Sequence, residues 1–255
     1  MSEKLKPTVF ETLCQYVGGS HLYKLNGPNS DIDKRGVFMH DDPLWRYGFY
    51  SSENQTNVTT DDDVCLHELR QFLQLCTNSN TQTLECLFAP LEAFNVLDED
   101  FHDLVLVNRL KLINSERLYK SLRGYLQNEL RLATGERTGK LGGKRKNTID
   151  EWGFSPKNFS HLFRLATCGK VFFETGEFPV SLKEVDPVAH GLCLDVKMNP
   201  QRHTMEDLVA RVAVYEKRFE DTYAKTKVYY HPDFHLVRKI LKHFNERNIH
   251  LVATA

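Results

Sequence analysis

The sequence predicts an α+β protein, with strands and short helices to about Glu99 and helices from Asp100 to the end. Two observations carry that expectation. Before Glu99, short extended runs break at glycine and polar clusters, whereas after Asp100 the apolar positions recur with a helical period. At 255 residues the chain suits one large domain or two small ones, and the change of pattern divides it into domains 1–99 and 100–255 around a cleft.

"TVFETLCQYVGGS" reads as a short helix or strand running into a glycine turn, and "SDIDKRGVFMH" as the extended segment that follows. Asp31 and Asp33, at i and i+2, share one face of such a strand. Two adjacent carboxylates repel unless a cation lies between them, and a hard divalent ion with oxygen ligands is the usual answer. A polar turn is the alternative, because Asn26, Gly27, Pro28, Asn29 and Ser30 are all turn formers. After a polar, aromatic loop, a strand through Val64 and Leu66 passes into an amphipathic helix with Leu69, Phe72, Leu73 and Cys76 on its buried face. "TQTLECLFAP" is a further short helix, stopped at Pro90.

Beyond the helical run from Asp100, "TGERTGKLGGKRKNTID" is glycine-rich and basic, and is expected to be a loop. It is no P-loop: Gly135 to Gly139 is one residue short and Leu141 follows Lys140. "SPKNFSHLFRLATCG" is punctuated as a helix, with Ser155 as N-cap, Pro156 in the first position and Gly169 closing it. Lys157, His161 and Arg164 stand at i, i+4 and i+7, so they share a face that is either solvated or a phosphate clamp. Thr204 and Asp207 open another helix, and "DFHLVRKILKHFNERN" after Pro232 is the last.

Composition narrows the partners. Lys plus Arg number 33 against 34 Asp plus Glu, so no global field draws the chain to nucleic acid or membrane, and any polyanion site is local. The N-terminus lacks the apolar stretch of a signal peptide and no segment approaches a spanning helix, which predicts a soluble, cytoplasmic protein with no membrane partner. Six cysteines without a C-x-x-C pair read as reduced thiols in or near the core.

"GGSHLY", "SDIDKRGVF", "DDDVCLHELRQFLQLC" and "LECLF" together resemble the minimal nucleotidyltransferases of the DNA polymerase β superfamily, in the subgroup linked to RNA repair. The pattern there runs G-S-x-x-Y-G, S-D-x-D-x-R-G-V-F, an acidic strand into L-x-K-F, then N-P, L-E-L-L and a K-x-x-x-H-x-x-R helix. The similarity spans Gly18 to about Phe88 and returns at Lys157 to Gly176. It implies a nucleotidyltransferase domain with a small mixed sheet and a helical domain completing the cleft. It implies that Gly19 and Ser20 hold the phosphates of an NTP, and that Asp31 and Asp33 bind Mg²⁺ or Mn²⁺. A third carboxylate on the neighbouring strand completes the metal site. Asp63 is chosen because it directly precedes Val64, whereas Asp61 and Asp62 fall earlier in the loop and Glu68 is expected to be helical. Tyr23 and Arg35, with Lys157, His161 and Arg164, are the remaining nucleotide-binding candidates.

An RNA 3′ end is the acceptor that the resemblance suggests, and Arg137, Lys140, Lys144, Arg145 and Lys146 form a local basic segment suited to it. A protein side chain or a small molecule is an alternative acceptor. A nucleotide- or RNA-binding module without turnover is a third reading. The chain departs from the family pattern in two places: Lys24 stands where a glycine is expected, and "NSNTQ" lacks the proline of N-P.

Overall fold

The β-branched and aromatic residues of Phe10–Val17 make strand β1, the starting point of a computed structural model that describes residues 10–28, 30–49, 57–60, 64–136 and 143–247. For 57–60 and 143–146 it describes the backbone. A helical turn α1 (Gly19–Leu22), strand β2 (Lys34–His40), a short helix α2 (Pro43–Arg46) and strands β3 (Asn57–Thr60) and β4 (Val64–Glu68) follow. Helices α3 (Leu69–Thr77) and α4 (Thr81–Phe88), strand β5 (Phe94–Leu97) and helix α5 (Glu99–Phe101) come next. The rest is α6 (Ser115–Ala133), α7 (Gly143–Trp152), α8 (Pro156–Thr175), α9 (Pro187–Met198), α10 (Met205–Lys225) and α11 (Phe234–Glu246). The fold is α+β, as the sequence predicts.

The chain divides into two compact units. The first holds the described residues up to Gly19, Asp31–Asn114 and those from Tyr230 on; the second holds Ser20–Ser30 and Ser115–Tyr229.

In the first unit the five strands form one mixed sheet in the order β3-β4-β2-β1-β5. β1 is antiparallel to both neighbours, while β2 and β4 run parallel, with Lys34 opposite Val64 and Arg35 opposite Cys65. A bulge at Thr12–Cys14 shifts the alternation of β1, so Leu13 and Cys14 are both fully buried. Gly36 to His40 of β2 are all buried, as expected of a central strand covered on both faces. Arg46, 3% exposed, donates to the carbonyls of His40, Asp41, Phe244 and Asn245. It thereby satisfies the last turn of α11, where a cation is also favoured by the helix dipole. Arg247, just past that helix, reaches Glu11, Asp98 and Asp100. All six cysteines are free thiols and five are buried.

In the second unit α8 is the central helix and packs on α6, α9 and α10. Three expectations are corrected in its neighbourhood and in the first unit. Gly169 does not close α8: a Cβ there would come within 2.8 Å of Phe219 and 3.0 Å of Leu122, so this glycine admits close packing on α10 and α6. The helix ends at Gly176, whose φ of 83° is the left-handed cap. The basic segment is not all loop, because Gly143–Trp152 is helical, in keeping with the good helix formers Lys144, Arg145 and Lys146. Glu68 is not helical: it ends β4 and caps α3, its carboxylate accepting from the Gln71 N–H at 3.1 Å.

The position of the missing family glycine has a backbone reason. Lys24 sits at φ 58°, in the left-handed region that a non-glycine residue occupies at a cost of about 1 kcal/mol. Lys24→Gly is therefore expected to stabilise the protein by up to about 1 kcal/mol, roughly 2–4 °C in melting temperature for a chain of this size. A thermal melt checks it, and an unchanged or lower melting temperature counts against the strain.

Candidate active site

Gly18 and Gly19 follow β1 in a turn whose backbone favours glycine at Gly19, where φ is positive. The Gly18 N–H donates to the Asp33 carbonyl at 2.8 Å, which carries the β1–β2 pairing one step past Val17 and Lys34. A Cβ on Gly18 would stand 3.0 Å from the Arg35 side chain. Gly19 has φ 59°, and a Cβ there would lie 2.0 Å from a carboxylate oxygen of Asp33. The structure thus brings Gly19, Asp33 and Arg35 together, with the Asp33 carboxylate seated on the Gly19 backbone.

Asp31 and Asp33 precede β2 rather than lying within it, since the strand begins at Lys34. Their expected place on a regular strand is corrected accordingly: the turn-forming residues before them delay the start of the ladder. Asp31 is exposed and Asp33 half-buried. Among the described residues the Asp33 carboxylate has no hydrogen-bond donor or cation. Asp61, Asp62 and Asp63 lie outside the described residues. Asp63 immediately precedes Val64, whose parallel partner is Lys34, the residue after Asp33. Among the described residues no three His, Cys, Asp or Glu side chains are grouped to hold a metal. The Asp33 carboxylate, unpaired among the described residues, is a hard oxygen donor of the type that Mg²⁺ and Mn²⁺ take as a ligand.

The same register brings in a residue that sequence reasoning missed. His67 lines a small pocket with Arg35, Cys65, Gln82 and Thr83. Burial first, and then the Arg35 guanidinium, hold its imidazole below the ordinary histidine range, so it is neutral at pH 7. Parallel pairing of two strands far apart in sequence leaves no local signal, which is why His67 was not singled out.

In the second unit, His161 and Arg164 meet Tyr23. The Arg164 guanidinium lies 3.5 Å from the centre of the Tyr23 ring, and its Nη2 is 3.5 Å from His161 Nδ1. The His161 ring stands 6.4 Å from that of Tyr23 and edge-on to Tyr125 at 5.6 Å. The stripe on α8 is graded: Lys157 is exposed, His161 half-buried, and Arg164 only 2% exposed. A desolvated guanidinium stacked on an aromatic ring is a strong positioning contact. The turn that carries Ser20 and Tyr23 is tied down from α9. His190 Nε2 donates to the Lys24 carbonyl at 3.0 Å and Lys197 Nζ to the Leu25 carbonyl at 2.6 Å. Side chains 137–146, the basic segment expected to contact RNA, lie outside the described residues.

Among the described residues no helix is long and apolar enough to cross a membrane. A model of the RNA repair pathway DNA polymerase beta family matches residues 3–204, a span that includes every candidate residue named above. No curated protein and no solved structure matches the chain.

Proposed function

The chain belongs to the RNA repair pathway DNA polymerase beta family, and from that premise we propose that it moves a nucleoside monophosphate from an NTP to the 3′ hydroxyl of an RNA, releasing pyrophosphate. Membership brings a nucleotidyltransferase-like role in general; the donor, the acceptor and the metal are the reading argued here. The observation that carries it is the Asp33 carboxylate, unpaired among the described residues, on the backbone of Gly19. Nucleotidyl transfer needs this juxtaposition of an acidic metal ligand and a turn of N–H groups that takes phosphate oxygens.

Asp31, Asp33 and Asp63 would hold Mg²⁺ or Mn²⁺. The parallel register that sets Lys34 opposite Val64 favours Asp63 over Asp61 and Asp62 as the third carboxylate. Bound there, the ion would neutralise phosphate charge and lower the pKa of the attacking hydroxyl. Asp63 orients that hydroxyl and accepts its proton. The Gly19 N–H and the Ser20 hydroxyl donate to phosphate oxygens. Arg35, crossing Gly18, adds positive charge beside that turn. Lys157, His161 and Arg164 supply charge for the leaving pyrophosphate, with Tyr23 held in place by Arg164.

The test is incubation with each labelled NTP, Mg²⁺ or Mn²⁺, and a panel of RNA, protein and small-molecule acceptors. Label on the RNA 3′ end together with free pyrophosphate is the expected result. Label on a protein or a small molecule would replace the acceptor, and NTP binding without transfer to any acceptor would leave a binding module.

A further inference from the structure

A cavity between the sheet and α3 and α4 joins a residue of the site to one that the mechanism leaves idle. Tyr16 lies opposite Arg35 in the β1–β2 pairing, and Arg35 opposite Cys65 in the β2–β4 pairing. His67 follows two residues after Cys65, so all four side chains leave the same face of the sheet. All four line this one small cavity, to which Gln82 and Thr83 of α4 add polar groups. Arg35 reaches from the cavity to the glycine turn: a Cβ on Gly18 would stand 3.0 Å from its Cδ and 3.2 Å from its Nε. His67 presents to its surroundings a buried Nδ1 that has no hydrogen-bond partner among the described residues.

The space is too small for a base or a sugar and admits about one water molecule. A buried water needs about two to four polar partners, and this lining supplies them. A guanidinium is all donors and no acceptor, whereas a neutral imidazole keeps one lone pair in the plane of its ring. The two groups are therefore complementary through a water, which takes an N–H from one and gives an O–H to the other. A second cation at position 67 would repel Arg35; a neutral acceptor holds it. We propose that His67 is a positioning residue for Arg35: a water in this cavity accepts from the guanidinium and donates to the imidazole Nδ1, and so keeps Arg35 across Gly18 for the phosphates of the NTP. The assignment rests on the nucleotidyltransferase reading above and adds a residue to it.

Titration calorimetry with inorganic tripolyphosphate separates positioning from packing, on His67→Leu, His67→Asn, Arg35→Met and the double variant of Arg35→Met with His67→Leu. His67→Leu is expected to bind tripolyphosphate about tenfold more weakly, which is about 1.4 kcal/mol. His67→Asn, whose amide oxygen accepts the same hydrogen bond without a charge, should recover most of that affinity. In the Arg35→Met background His67→Leu should cost nothing further, because it acts only through the guanidinium. The melting temperature of ligand-free His67→Leu should be unchanged or higher, since the imidazole Nδ1 makes no hydrogen bond to the described protein. Wild-type affinity in His67→Leu or in Arg35→Met, or losses that add in the double variant, would overturn the assignment and leave the nucleotidyltransferase reading intact. A fall of many degrees in the melting temperature of His67→Leu, with no recovery of affinity in His67→Asn, would also overturn it and make His67 a packing residue. Wild-type protein that binds neither tripolyphosphate nor any NTP, and transfers no label, would remove the wider reading and this one with it.

Discussion

Replacing Asp33 with alanine is expected to abolish nucleotidyl transfer and leave the fold intact. Loss of a metal ligand removes several kcal/mol of transition-state stabilisation, and about 4 kcal/mol is already roughly a thousandfold in rate. Stability should move the other way or not at all. The Asp33 side chain makes no hydrogen bond or ion pair among the described residues, so its removal breaks none. Its neighbour on the turn, Gly19, gains room rather than losing a partner. Asp31→Ala is expected to follow it in activity. Labelled-nucleotide transfer beside a thermal melt checks both halves. Full turnover in Asp33→Ala would sink the metal assignment, and a fall of many degrees in melting temperature would show that the carboxylate is structural.

Much of the turn was readable because its chemistry is local. A Gly-Gly-Ser turn followed by two aspartates states its own constraint, and the structure adds that the Asp33 carboxylate occupies the space a Gly19 side chain would take. The spacing of Lys157, His161 and Arg164 was equally readable as one helical face. Their burial was not, since what covers Arg164 is Tyr23, more than a hundred residues earlier in the chain. Gly169 shows the same limit at the level of the fold. A glycine near the expected end of a helix looks like a cap, and only its distance from Phe219 and Leu122 marks it as a packing contact. His67 and Lys197 stayed hidden for a related reason: one depends on a parallel register, the other on a carbonyl of a remote turn. Hydrophobic period assigns faces to elements; it does not say which elements meet.

Gly36, the glycine of the family's R-G-V-F run, gives the largest expected effect on the fold. Its Cβ would lie 2.0 Å from the Cys14 carbonyl oxygen and 3.0 Å from the Gln15 Cα. Those are backbone atoms of the neighbouring central strand, beside the bulge at Thr12–Cys14, and no side-chain rotation relieves the clash. Gly36→Ala must push β1 off β2 or break their ladder, the upper end of what overpacking costs, about 3 kcal/mol or more. For a chain of this size that is roughly a 6–12 °C fall in melting temperature. Gly124 and Gly191 are the internal controls. Both lie within helices, α6 and α9, and a Cβ on either meets nothing within 4 Å. Alanine there should stabilise by about 0.5–1 kcal/mol through helix propensity and a less flexible unfolded chain. The same substitution is thus expected to have opposite signs at three glycines, decided by whether backbone stands in the way. A Gly36→Ala protein that melts with the wild type would mean that β1 and β2 are not held at the separation described.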